Sequence, residues 1–171
     1  MAIANFTYTG LPSRVIFGKG SLQQLEAEID HLGSRRALVL STPEQRSQAE
    51  RIADILGSRA AGIFDKAVMH VPIETAREAR QVALELGADC AVAIGGGSTT
   101  GLGKAIALES GLPILAIPTT YAGSEMTSVY GLTENGIKRT GKDVRVLPKT
   151  VIYDPESVSY THLRAHETRE D

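Results

Sequence analysis

The stretch that decides the fold is Cys90–Lys104, which reads CAVAIGGGSTTGLGK. Its first residues, Cys90 to Ile94, form a continuous apolar run, as is typical of a β-strand covered on both faces. Gly95 to Gly97 break this strand, and the spacing that follows predicts a helix from Ser98 to Leu108. A buried strand, a glycine turn and a helix in succession indicate an α/β fold.

Strands and helices alternate on both sides of this stretch. Further strands are predicted at Ser13 to Phe17, Ala37 to Leu40, Ala60 to Phe64, Pro113 to Ile117 and Lys149 to Tyr153. Helices are predicted to begin at Ser21, Thr42 and Pro72 and to end near Gly33, Leu56 and Gly87. The first two starts fit a capping box, with Gln24 and Gln45 as the reciprocal partners. The pattern predicts a Rossmann-like parallel sheet with helices on both faces, and a Thr/Gly/Ser-rich loop between the last two strands.

Composition narrows the class of protein. The chain has 171 residues, 42% of them hydrophobic and 22% charged, with a net charge of −2, which suits one globular domain. No basic face predicts nucleic-acid binding, and no polybasic arm or apolar run of about 18 residues predicts a membrane partner. Residues 1–6 lack the features of a signal peptide, and the single cysteine, Cys90, is expected to be a buried strand residue rather than a reactive thiol. We therefore expect a cytoplasmic protein.

The glycine turn predicts phosphate binding. Glycines let the backbone approach a pyrophosphate, and the free N–H groups at a helix start hold the anion. Ser98 is expected to cap the helix and to donate to a phosphate oxygen. The pattern is neither the G-x-G-x-x-G fingerprint nor the Walker spacing. The alternative is a tight turn followed by a capped helix, without a ligand.

A second polar segment, Pro118–Thr127, reads PTTYAGSEMT and follows the predicted strand that ends at Ile117. In a doubly wound sheet, ligands collect beyond the carboxyl ends of the strands, so both polar segments are expected at the same edge. Thr119 and Thr120 are candidates to bond a ribose, a diphosphate or a nicotinamide amide. The alternative is a solvated loop.

The last residues, 157–171, read SVSYTHLRAHETRED and break the pattern. His162 and His166 are four residues apart, which is a metal-ligand spacing on a helix, but an unstructured polar end is the simpler interpretation. We favour a third, a translated adapter sequence that was never selected for structure. We accordingly place the nucleotide-binding domain at residues 1–156 and expect the tail to be disordered.

The motifs together resemble the iron-containing alcohol dehydrogenase superfamily. That superfamily pairs a GGGS loop with a PTT-x-x-GSE loop, and the similarity runs from about Arg14 to Glu156. Within it, three segments look like the maleylacetate reductase branch, namely GGGSTTGLGKAIAL, IPTTYAGSEMTSVYG and VLPKTVIYDP. The resemblance implies reduction of maleylacetate to 3-oxoadipate with NAD(H) or NADP(H), in the breakdown of aromatic compounds.

The resemblance also implies roles for particular residues. Gly96, Gly97 and Ser98 would hold the pyrophosphate, and Thr119 and Thr120 would contact the nicotinamide nucleotide. Lys138 matches a family lysine near the cofactor, although a solvated hairpin lysine is the alternative. From loop position, Tyr121 and Ser124 are guessed to face the substrate cleft.

This sequence differs from the wider superfamily at two positions, and we expect it to lack one of the superfamily's domains. Many relatives carry aspartate where Gly101 stands, and glycine fits the reductase branch better. Thr42 falls where NAD-preferring relatives place an aspartate on the adenosine ribose, so NADP(H) is expected to be tolerated. We expect this chain to stop before the helical second domain of the family. We therefore assign no metal ligand and no catalytic residue, expect the truncated chain to be inactive alone, and keep a homodimer of the full-length enzyme as a possibility.

Three other functions stay open from sequence. One is an alcohol or glycerol dehydrogenase, one is a non-catalytic nucleotide-binding module, and one treats the glycines as structural turns only. A substrate panel separates the first from a maleylacetate reductase. Cofactor binding without reduction identifies the second, and no binding of NADH identifies the third.

Overall fold

The computed structural model describes residues 10–11 and 13–158. Its main sheet has six parallel strands: β1 Arg14–Phe17, β2 Ala37–Leu40, β3 Ala60–Phe64, β4 Cys90–Gly95, β5 Ile114–Pro118 and β8 Thr150–Tyr153. The spatial order is β1-β8-β5-β4-β2-β3. A separate antiparallel hairpin is formed by β6 Val129–Glu134 and β7 Ile137–Lys142. The α-helices that flank the sheet are α1 Leu25–His31, α2 Arg46–Leu56, α3 Ile73–Leu86 and α4 Gly97–Ser110.

The central strand β4 is buried on both faces, and its alternating side chains serve two cores. Val92 and Ile94 pack into a cluster that contains the apolar faces of α1 and α2. Ala91 and Ala93 point to the opposite face and pack against α3 and α4. The predicted parallel sheet with helices on both faces is therefore confirmed.

Small residues bring α4 close to the sheet. A Cβ atom added at Gly103 would lie 3.4 Å from Ile114 Cγ2 and 3.9 Å from Ala93 Cβ, so the helix backbone lies almost on the strands. Close packing of this kind leaves little freedom for the helix axis. The amino end of α4 is consequently fixed just beyond the end of β4.

The two predicted capping boxes are wrong. Ser21 begins a single 3₁₀ turn behind Gly20, which has φ 79°, and the α-helix starts only at Leu25. Thr42 does occupy an N-cap position, but its hydroxyl lies 3.5 Å from the Gln45 side chain and makes no cap bond to the backbone. Gln45 instead bonds a residue far away in the sequence, since its amide donates to Thr119 Oγ1 at 3.1 Å.

The expected loop between the last two strands of the sheet is also wrong, since it contains the β6–β7 hairpin. Its turn is Asn135-Gly136, with φ 51° and 75°. Positive φ at both central residues is the requirement of a type I′ turn, for which Asn-Gly is the favoured pair. The signal was present in the sequence, but β6 is half-buried, β7 is largely exposed, and neither strand has a strong apolar alternation.

The last described residues, 155–158, pack against the domain. Residues 155–158 are helical, and Ser157 and Val158 are buried. The expected domain end at residue 156 stays a prediction. His162, His166 and the rest of the tail lie outside the described residues.

Candidate functional site

The glycine turn and the threonine pair lie side by side at the carboxyl edge of the sheet. β4 and β5 are neighbours in register, with Gly95 opposite Pro118. Beyond the last pair, the Thr119 N–H donates to the Gly95 carbonyl at 2.9 Å. The two polar segments that the sequence predicted to meet are therefore brought together by strand pairing.

At the start of the turn, neighbouring atoms leave no room for a side chain, so glycine is required there. At Gly95, where φ is 148°, an added Cβ would lie 2.6 Å from Gln45 Oε1 and 2.7 Å from Thr99 Oγ1. At Gly96 the nearest atom would be Thr120 Oγ1, at 3.2 Å. At Gly97, by contrast, nothing lies nearer than 3.9 Å. The turn is thus tight on its inner side and open toward solvent at Gly97.

The amino end of α4 has no side-chain cap. Gly96 occupies the N-cap position, and no side chain bonds the helix amides. The prediction that Ser98 caps the helix is wrong, because Ser98 lies inside the first turn. The first N–H groups of a helix, together with the positive end of its dipole, attract anions when no side chain satisfies them. The arrangement therefore fits a phosphate group.

The two threonines take different positions. Thr119 is buried and its hydroxyl accepts a hydrogen bond from Gln45, whereas Thr120 is exposed beside Gly96. Thr42 is half-buried, and its hydroxyl donates to Oε1 of the same Gln45 amide at 3.5 Å. Gln45, which the sequence analysis treated only as a capping residue, thus links the ends of β2 and β5. Of these three threonines, Thr120 is the most exposed.

A cleft of about 240 Å³ opens beside the amino end of α4. Four of the predicted residues line it, namely Gly97, Ser98, Ser124 and Lys138. Tyr121 is not among its lining residues, and its side chain is 80% exposed. Gly101, which the sequence analysis noted as a departure, also lines the cleft.

Sequence reasoning missed the lysine at the inner end of this cleft. Lys104 lines the cleft yet is only 1% exposed, and its ammonium donates to Thr127 Oγ1 at 3.1 Å and to the Val129 carbonyl at 2.6 Å. Burial lowers the pKa of Lys104 to about 8, and the charge of the buried Glu125 partly opposes that shift. The available signal was its position, because Lys104 is the charged residue within the otherwise apolar stretch from Leu102 to Leu108.

The charged lining of the cleft is cationic. Lys104 and Lys138 contribute to it, and no described carboxylate does. A cleft lined by one sign of charge attracts ligands of the opposite sign. The electrostatics therefore agree with the uncapped helix in favouring an anion.

Other reactive groups do not extend this site. Cys90 is buried and burial raises the pKa of its thiol to about 12, which confirms it as a strand residue rather than a reactive thiol. Within residues 10–11 and 13–158, no group of three His, Cys, Asp or Glu side chains could hold a metal ion. In the same residues, no helix is long and apolar enough to cross a bilayer.

Together, these features define an α/β domain with an uncapped helix end and a positively charged cleft beyond the carboxyl ends of its parallel strands. The sequence profile of the iron-containing alcohol dehydrogenase family matches residues 12–155. The chain belongs to that family, which confirms the resemblance seen in the motifs.

Individual relatives refine the comparison. Maleylacetate reductase from Burkholderia cepacia is 73% identical over 88% of this chain, which corresponds to 43% of that relative. The crystal structure of maleylacetate reductase from Agrobacterium tumefaciens is 50% identical with a TM-score of 0.87, covering 91% of this chain and 45% of the other. The chain thus spans less than half the length of these relatives. Sulfoacetaldehyde reductase from Bifidobacterium kashiwanohense, solved in complex with NAD+, shares the fold at 23% identity, with a TM-score of 0.81 and coverage of 91% and 47%.

The buried Lys104 predicts a distinctive dependence of stability on pH. Its pKa falls from 10.5 to about 8 on folding, so between these values the unfolded chain binds more protons. The cost of burying the ammonium is fully present below about pH 8 and is relieved as the pH rises. Relative to Lys104→Met, the wild-type free energy of unfolding should therefore increase by about 1–2 kcal/mol from pH 8 to pH 10.

Chemical denaturation at several pH values measures this difference. Lys149→Met, at an exposed lysine, controls for the loss of one positive charge. A constant difference between wild type and Lys104→Met across this range would show that the Lys104 ammonium is not destabilised by burial.

Proposed function

We propose that this domain binds a nicotinamide dinucleotide and, in the full-length enzyme, serves the reduction of maleylacetate to 3-oxoadipate. The observation that carries the proposal is the uncapped amino end of α4, which lies beside Thr120 at the carboxyl edge of the sheet. The family relationship and the maleylacetate reductases among its relatives support the choice of reaction.

The cradle fits the diphosphate of the cofactor. The amides of Gly97 and Ser98 would donate to the diphosphate, and Gly96 would let it approach the backbone. The Thr120 hydroxyl would contact the nicotinamide nucleotide, while Thr119 would act indirectly through its bond with Gln45. Lys138 would lie near the cofactor, since it lines the same cleft as Gly97. When bound, the reduced nicotinamide supplies the hydride.

The cationic cleft also suits the substrate. Maleylacetate carries two carboxylates, and Lys104 and Lys138 give the cleft positive charge without a described acidic side chain. Ser124, which lines the cleft, would contact the substrate, and the exposed Tyr121 would lie at the outer edge of the cleft. Positive charge near the substrate would stabilise the negative charge that develops on the carbonyl during hydride addition. A neutral alcohol or polyol gains less from such a lining.

We also propose that the active enzyme acts in the cytoplasm and that it forms a homodimer. No nucleic-acid or membrane partner is proposed, because the chain has a net charge of −2 and no basic arm. Residues beyond this chain are needed for turnover, since the described residues offer a cofactor cradle but no assigned catalytic group.

Joining residues 1–158 to the remainder of the Burkholderia cepacia relative tests the reaction. Because that relative is 73% identical over the matched region, the joined domains should fold together. We expect NADH oxidation that depends on maleylacetate, and none with the 171-residue chain alone. Ethanol, butanol and glycerol with NAD+ form the comparison panel.

Faster turnover of a panel alcohol than of maleylacetate would identify an alcohol or polyol dehydrogenase. Cofactor binding without any turnover by the joined protein would indicate a non-catalytic nucleotide-binding module. Maleylacetate turnover by the 171-residue chain would contradict the proposed need for further residues.

Cofactor choice gives a further prediction. Thr42 follows β2 and places a neutral side chain where a carboxylate would repel a 2′-phosphate, so both cofactors should be accepted. In the joined protein we expect kcat/KM for NADH and NADPH to differ by less than about a thousandfold, roughly 4 kcal/mol. Thr42→Asp should shift the ratio toward NADH. A larger preference for NADH in the Thr42 protein would contradict the proposal.

A further inference from the structure

A strained turn forms one wall of the cleft. His70 and Val71 have φ values of 65° and 40°. Such values are uncommon for residues other than glycine and are unfavourable for a β-branched side chain, and Val71 also precedes a proline, Pro72. Among the described residues, the other non-glycine with positive φ is Asn135, whose type I′ turn requires that conformation. The conformation of His70 and Val71 has no such local cause.

Two hydrogen bonds from the β6–β7 hairpin hold the turn. The backbone N–H of Thr133 donates to the Val71 carbonyl at 3.0 Å, and Thr133 Oγ1 donates to the His70 carbonyl at 2.6 Å. Pro72 and Thr133 also form an isolated parallel bridge. The strained turn is thus fixed by a residue more than sixty positions away in the sequence.

On its other side, the turn presses against α4. A Cβ added at Gly101 would lie 2.8 Å from Val71 Cγ2, which is too close for real atoms. A valine side chain has few alternative rotamers, so it cannot easily move aside. The absence of a side chain at Gly101 is therefore a condition for the observed position of Val71.

His70, Val71 and Gly101 all line the cleft that Gly97 and Ser98 also border. Strained backbone persists where the surrounding structure determines it fully, and it concentrates at ligand sites. A wall that is already ordered also lowers the entropy lost when a ligand binds. Because the strained turn lines this cleft, its strain is connected with ligand binding there.

We infer that Thr133 and Gly101 are positioning residues, which lock the His70–Val71 turn as a preformed wall of the dinucleotide cleft. The inference rests on the proposed function, because it takes the dinucleotide as the ligand. Neither residue needs to touch the cofactor. Their effect reaches it through the turn.

Thr133→Val provides the first test, because it removes the hydroxyl but keeps the side-chain shape and the backbone bond to Val71. We expect the Kd of the 171-residue chain for NADH, measured by fluorescence titration well below the unfolding temperature, to rise about fivefold. Thr133→Ser, which keeps the hydroxyl, should restore binding to within about twofold of wild type. The matched control is Thr140→Val on β7, whose side chain does not line the cleft and which should leave the Kd unchanged.

Gly101→Ala provides an independent test. The added methyl should displace the turn and weaken NADH binding about tenfold, and adding Val71→Ala should recover most of that loss by removing the clashing Cγ2. A merely structural role would lower the unfolding temperatures of these variants without changing the Kd of the folded protein.

The outcomes separate this inference from the proposed function. If wild type binds NADH and both Thr133→Val and Gly101→Ala bind it equally well, the inference is wrong and the proposed function stands. Failure of Val71→Ala to rescue Gly101→Ala would also overturn the role of Gly101. If wild type does not bind NADH, the proposed function fails, and this inference fails with it.

Discussion

The hydrogen bond from the Thr119 N–H to the Gly95 carbonyl, with the strand pairing that precedes it, is the constraint on which the site depends. It aligns the carboxyl ends of β4 and β5, so the chain leaves both strands at the same edge of the sheet. Gly95 then turns into α4 in a space where a Cβ would collide with Gln45 and Thr99. The amino end of α4 is thereby fixed beside Thr120 with its amides uncapped.

The rest of the domain keeps that arrangement rigid. Alanines on one face of β4 and glycine on α4 allow the helix to lie close to the strands, while larger side chains fill the opposite core. The hairpin is tied to α4 by the buried Lys104, which donates to the Val129 carbonyl. Burying an ammonium costs free energy, and here two hydrogen-bond acceptors from the segment after β5 offset part of that cost. The same segment supplies the residues that close the cleft.

Much of the fold could be predicted from sequence because its strands are continuous apolar runs ended by glycine or polar residues. The strand at Cys90 to Ile94 and the helix after it were found on that basis. The structure extends the strand by one residue, and the helix by one residue at its start and two at its end. The capping boxes failed because side chains such as Gln45 found partners distant in sequence, which local patterns cannot show. The two strands of the hairpin were not predicted, although Asn135-Gly136 marks their turn, because they lack a buried alternating face.

The candidate site divides in the same way. Gly96, Gly97 and Ser98 were identified because a backbone cradle leaves its mark in the local sequence. The buried Lys104 and the strained His70–Val71 turn were not identified from the sequence, because their positions in the site depend on hydrogen bonds with the hairpin. Thr119 and Thr120 were identified as a pair, but only the three-dimensional pairing shows that one is buried and the other exposed. The sequence therefore indicated which residue types belong to the site, but it did not show which contacts each residue makes.

The most direct measurement of the central claim is the affinity of Gly97→Asp for NADH, with Gly97→Ala as the steric control. Gly97 has open space around its Cβ position, and an acidic residue in the first turn of a helix is favourable, so both variants should fold as stably as wild type. If the α4 amides hold the cofactor diphosphate, the aspartate should weaken binding by at least about tenfold, and by clearly more than alanine does. Folded Gly97→Asp protein that binds NADH as tightly as wild type would contradict the account.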